Sequence, residues 1–130
     1  FVGANSFLAV TRDADGLRLT SGGALVGDRA LGDEGEVLVC AARPEALHVS
    51  PGHTSATKDE VAIPAELDSV SFIGREMEVI ARTDVGEIVK SLARPDPAVI
   101  ALDPGSAVTV RASRSDLAFF EDSETGRRVT

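Results

Sequence analysis

The chain has 130 residues and carries 13 Lys and Arg against 21 Asp and Glu, a formal charge of −8, so it is long enough for one ordinary domain, or for two small ones sharing a core. That acidic balance argues against a nucleic-acid surface, which needs a basic face for phosphate and aromatic platforms for bases; Trp and Tyr are absent. Cys40 is the lone cysteine, which excludes an intrachain disulfide framework and fits a reducing, cytosolic compartment, and no apolar run reaches membrane-spanning length.

In chain order, the opening Phe1 already stands in a strand-like stretch, and with no initiating Met and no signal peptide it reads as the start of a piece cut from a longer polypeptide. From Asn5 to Arg12, Phe7 and Ala9 alternate with Leu8 and Val10, and Asp13-Ala14-Asp15-Gly16 turns into Leu17-Arg18-Leu19, a hairpin signal. Ser21 to Gly35 is a loop-rich acidic stretch with apolar islands at Ala24 to Val26 and Ala30 to Leu31. Val37 to Ala41 then alternates as a half-buried strand running into Arg43-Pro44-Glu45, and Leu47 to Val49 is a short strand. Ser50 to Asp59 is a polar connection. Val61 to Ile73 makes a long strand bent at Pro64, Gly74 breaks it, and Met77, Val79 and Ala81 alternate with acids. Asp84-Val85-Gly86 turns back into Ile88 to Leu92, Ala93 to Ala98 is a proline-bearing loop, and Asp103-Pro104-Gly105 leads into Val108 to Ala112. The tail carries Leu117, Phe119 and Phe120. No stretch has sustained helical period, so many short strands punctuated by Gly and Pro predict an all-β fold.

The chain also repeats itself. Val37, Val39, Ala41, Arg43 and Glu45 match Val108, Val110, Ala112, Arg114 and Asp116, seventy-one residues later, and Phe1-Val2-Gly3 matches Phe72-Ile73-Gly74 at the same offset. One residue drops out in the hairpin, where Asp15-Gly16 meets Gly86, and is restored after Gly35 and Gly105. Such a repeat predicts two similar β modules packed on each other. The first spans about 1–50, the polar connection about 50–60 and the second about 61–130, with Val37, Val39, Val108 and Val110 in a shared core.

Candidate chemistry is sparse. Gly22 and Gly27 have the glycine spacing of a phosphate-binding loop, but Asp28 stands where its lysine belongs and would repel phosphate. Asp13 to Gly16 lacks the further ligands of a calcium loop. Glu76 and Glu78 share a strand face at roughly 6–7 Å, which a hydrolytic pair could use, though acids alternating with apolar residues describe any wet strand face. His48 and His53 have no Cys or acid at ligand spacing, which argues against zinc. Catalytic, cofactor and metal residues are therefore expected to be absent. Arg43 with Glu45, and Arg114 with Asp116, are either local salt bridges at a strand exit or contacts to a partner chain, for which the Arg fork is suited and Pro44 holds Arg43 extended.

Phe1-Val2-Gly3-Ala4-Asn5, the valine strand into Arg43-Pro44-Glu45, Phe72-Ile73-Gly74, and Phe120-Glu121-Asp122 with Thr125-Gly126-Arg127 together resemble the transport-associated OB-type (TOBE) region at the C-terminal end of ATP-binding subunits of bacterial ABC importers. The resemblance implies two OB-like β-barrel modules, a regulatory and dimerising role without catalysis in this piece, and a parent ATPase whose missing domain would hold ATP and magnesium. It implies three partners: that ATPase domain, a second copy of the subunit, and, through the ATPase, the permease subunits at the cytoplasmic face of the inner membrane. Interface or motif residues would be Phe1, Gly3, Asn5, Arg43, Pro44, Glu45, Phe72, Gly74, Arg114, Asp116, Phe120 and Gly126. The alternative is a domain sensing an oxyanion or the transported solute.

Overall fold

The computed structural model describes residues 6–13, 16–23, 25–27 and 38–121, and it is β-structure almost throughout, as the alternation predicts. Among these described residues ten strands form two five-stranded sheets. β1 (Ser6–Asp13), β2 (Gly16–Leu19), β3 (Leu25–Gly27), β4 (Leu38–Ala42) and β10 (Ala118–Glu121) make the first, in the order β10-β4-β1-β2-β3. β5 (His48–Pro51), β6 (Glu60–Ile73), β7 (Glu76–Thr83), β8 (Ile88–Ala93) and β9 (Ala107–Ser113) make the second, in the order β5-β9-β6-β7-β8. Neighbouring strands are all antiparallel.

The two orders map onto each other strand by strand, and the mapping exposes an exchange. After β4 the chain makes a 3₁₀ turn, Pro44–Ala46, and β5 crosses to pair with β9 of the other sheet; after β9 a second 3₁₀ turn, Arg114–Asp116, sends β10 back to pair with β4. The registers are identical once shifted by seventy residues: His48 faces Arg111 as Ala118 faces Ala41, and Val49 faces Val110 as Phe119 faces Cys40. Each sheet is therefore completed by a strand from the other half.

That geometry corrects the register of the repeat. The offset across these segments is seventy and not seventy-one, so Cys40 corresponds to Val110, Ala42 to Ala112 and Leu47 to Leu117, all of them buried. Val108 and Val110 lie in the core as expected, but Val39 is only half-buried, with Cys40 and Ala42 pointing inward in its place; Val37 is outside the described residues. Because side chains alternate across a strand, a one-residue slip exchanges the faces. Volume explains why small residues point inward here: Cys40 lies opposite Leu8 on one side and Phe119 on the other, and those large side chains fill the layer. The hairpin match fails too. β1 lies beside β4, so its counterpart is β6, beside β9, and Phe72-Ile73-Gly74 closes the β6–β7 hairpin, whose counterpart is the β1–β2 turn. Phe1 to Gly3 is outside the described residues.

The long strand β6 serves two neighbours. β6 pairs with β9 over Glu60 to Glu66 and with β7 from Ala65 onward, with a register shift between Leu67 and Ser69. Pro64 sits where only β9 flanks the strand, so its missing N–H costs the ladder nothing on the open side. Onto that side packs Gly22 of the β2–β3 turn. Its φ is +73°, and a Cβ there would come within 2.7 Å of Pro64 Cδ. On the opposite seam β8 meets the free edge of β1 through side chains: the Ala9 N–H donates to Glu87 Oε2 at 2.6 Å and the Lys90 N–H to Ser6 Oγ at 2.9 Å. One apolar cluster, drawn from both sheets, runs between these seams, with Leu8, Leu17, Leu47, Ile63, Val79, Val89, Val99 and Val110 fully buried. Each such aliphatic side chain contributes about 1.5–3 kcal/mol on removal from water.

A single-turn helix, α1 (Pro97–Ile100), lies where a loop is expected. Asp96 caps it by accepting from the Ala98 N–H at 3.0 Å, and Pro97 supplies the first helical position. An Asp followed by Pro was a helix-start signal in plain view.

Candidate functional site

The expected site residues are scattered over the molecule. Phe1, Gly3, Asn5 and Gly126 lie outside the described residues, and Phe120 is placed only by its backbone, opposite Val39. Phe72 is exposed near the tip of the β6–β7 hairpin, and Gly74 turns that tip with a φ of +62°. Arg43 and Glu45 are exposed at the first 3₁₀ turn, with Arg43 extended ahead of the buried Pro44, as the proline predicts. Arg114 and Asp116 are exposed at the second. Neither pair forms an ion pair, so the local-bridge reading fails among the described residues. The corrected register also separates them: Arg43 precedes its turn while Arg114 opens the other, and Glu45 corresponds to Ser115.

Of the other residues weighed from sequence, Glu78 pairs with Lys90 at 3.8 Å while Glu76 is exposed, as on a wet strand face. His53 lies 3.4 Å from the Ala65 carbonyl. Cys40 is buried, and burial, reinforced by the negative charge of Glu87, pushes its thiol up to about 12. Among the described residues no group of His, Cys, Asp and Glu is placed to hold a metal ion, and no helix is long and apolar enough to cross a membrane.

What the structure does assemble is a cleft of about 480 Å³ where the first 3₁₀ turn and β5 lean on the end of β8. The buried Met77 and half-buried Val49 give it an apolar floor, and Glu45, His48, Arg94 and Asp96 line it. The turn is held in place by Ser91, whose hydroxyl donates to the Leu47 carbonyl at 2.6 Å. The exchange of β5 creates this cleft, because it brings Glu45 and His48 of the first half against β7 and β8 of the second. Only Glu45 of these residues belonged to a sequence motif. Arg94 and Asp96 sit in a stretch that reads as an ordinary proline loop, and His48 carries no ligand-like spacing.

The fold and its paired turns define a double OB-like β domain. A TOBE domain profile matches residues 40–120, well over half of the chain, and the protein belongs to that family. Among solved structures it is similar to the cytoplasmic molybdate-binding protein ModG with molybdate bound, at 15% identity and a TM-score of 0.70, over 91% of this chain and 96% of that one. At that identity the likeness establishes the fold. No curated protein matches the chain in sequence.

Proposed function

We propose that the chain is a regulatory and dimerising domain of an ABC importer, carried by the ATP-binding subunit and without catalysis of its own. The carrying observation is membership of the TOBE family across both 3₁₀ turns and the exchanged strands. In this setting ATP and magnesium belong to the ATPase domain of the parent. The partners are that domain, a second copy of the subunit, and the permease subunits at the cytoplasmic face of the membrane. Arg43 supports a pairing role: it is exposed, extended and without a partner among the described residues, so its guanidinium is available to another chain. A two-fold interface is the economical arrangement for two copies of one subunit.

Sedimentation of the isolated chain and of Arg43→Glu, with melting curves for both, tests the pairing. The expected result is a monomer–dimer equilibrium at high concentration, weak because the parent subunit no longer concentrates the domain, and shifted to monomer in the variant at unchanged melting temperature. Equal association of the two proteins refutes the role of Arg43. Coding sequence upstream of Phe1 without a phosphate-binding loop would remove the ATPase parent.

A second reading, solute sensing, is favoured by the cleft and by the fold shared with a protein that binds molybdate. A ligand held only by the folded domain raises its melting temperature, which a screen of oxyanions, sugars and polyamines detects.

A further inference from the structure

We propose that the cleft between the first 3₁₀ turn and the end of β8 binds a small zwitterion, a primary ammonium and a carboxylate on an aliphatic body, of which an α-amino acid is the simplest. The inference rests on the sensing reading and names its ligand class. Glu45 and Asp96 bring negative charge to the cleft and Arg94 brings positive charge. Opposite charges that share a cleft ordinarily close on one another. Here they do not: among the described residues neither Arg94 nor the Glu45 carboxylate makes an ion pair or side-chain hydrogen bond, and Asp96 uses one oxygen to cap α1. The two signs stay unpaired with each other, and a molecule that carries both would bridge them. The guanidinium fork matches a carboxylate, and the two acids match an ammonium.

Size and lining narrow the class further. At about 480 Å³ the cleft falls within the range of small-molecule sites, ~300–1,000 Å³. The half-buried Val49, Leu92 and Ala93 offer an apolar surface for an aliphatic side chain. Among the described residues no Phe, Tyr or Trp lines the cleft, which disfavours quaternary ammonium ligands, whose recognition uses cages of such rings.

The repeat supplies an independent argument. The segment from β9 through the second turn to β10 makes the same bend with Ser115, Ala118 and Phe119 where the first copy has Glu45, His48 and Val49. The backbone therefore requires neither the carboxylate nor the imidazole at those positions.

The test uses the 130-residue chain with L-leucine, isoamylamine as the ammonium alone, 4-methylpentanoate as the carboxylate alone, and molybdate, each followed by calorimetric titration and thermal melting. L-Leucine is expected to bind saturably and raise the melting temperature, with each single-charge analogue weaker by roughly tenfold or more. Arg94→Ala and Glu45→Gln, both at exposed positions, are expected to weaken leucine binding by about the same factor without moving the melting temperature of the free protein. Leucine and isoamylamine binding equally, or unchanged leucine affinity in Arg94→Ala, overturns the proposal. Saturable molybdate binding without any response to leucine overturns the zwitterion and leaves sensing intact. A response to none of the four sinks both.

Discussion

Replacing Gly22 by Ala probes the contact between the two halves at a single atom. With a φ of +73°, any L-residue there takes the left-handed conformation, at about 1–2 kcal/mol, partly offset by ~0.4–1 kcal/mol from a stiffer unfolded chain. The added methyl also lies 2.7 Å from Pro64 Cδ and 3.2 Å from its Cγ. Those are ring atoms that cannot swing aside, so β6 or the β2–β3 turn must shift, at a further ~1–3 kcal/mol as for other overpacked sites. Gly74→Ala is the control, because Gly74 has a φ of +62° and nothing lies within 4 Å of where an added Cβ would stand; it carries the conformational cost alone. Urea unfolding at 25 °C should therefore place Gly22→Ala about 1–3 kcal/mol below Gly74→Ala. Pro64→Ala removes the ring, and in the double mutant with Gly22→Ala the loss should be less than additive by about 1 kcal/mol or more. Equal costs for the two glycines, or strict additivity with Pro64→Ala, would refute the packing of the β2–β3 turn on β6.

Four further outcomes follow from the exchanged strands and the buried core. Separate fragments 1–52 and 58–130 should each be largely unfolded and should fold on mixing, since β5 completes the sheet of the second and β10 that of the first; circular dichroism of the fragments and of their mixture decides it, and either fragment folding alone refutes the exchange. Leu47→Ala, at a fully buried position beneath the first turn, should cost about 2–5 kcal/mol, read from the urea midpoint. Cys40 should resist iodoacetamide at pH 8 unless the protein is unfolded in urea. Its folded pKa is raised from 9.0 to about 12, so the protonated thiol favours the native state, and that contribution is complete below about pH 9 and is lost as pH rises toward 12. Wild-type stability should thus fall more steeply than that of Cys40→Ala across this window, by up to about 1.4 kcal/mol per pH unit.

Local patterns carried much of this structure. Alternation at Leu8 and Val10, at Met77, Val79 and Ala81, and at Val108 to Ala112 placed the strands, and in the last two also the inner face, because burial of one face of a sheet writes a period of two directly into the chain. Glycine turns at Gly74, Gly86 and Gly105 bounded β7 and β9 for an equally local reason, a positive φ. The duplication was legible as well, through the two copies of the strand and turn.

Tertiary structure decided the rest. The offset of the repeat depended on which face of β4 met Leu8 and Phe119, a matter of volume contributed by strands distant in sequence, and the valines drew the reading to the wrong face. The crossing of β5 and β10 leaves no trace in either strand, since a strand of four residues pairs equally well with its own sheet or another. The cleft follows from that crossing: Glu45 and His48 reach Arg94 and Asp96 only because the chain changes sheets at Pro44–Ala46. A side chain's type is set by sequence, but what it faces across a gap is set by where two halves of the chain are packed together.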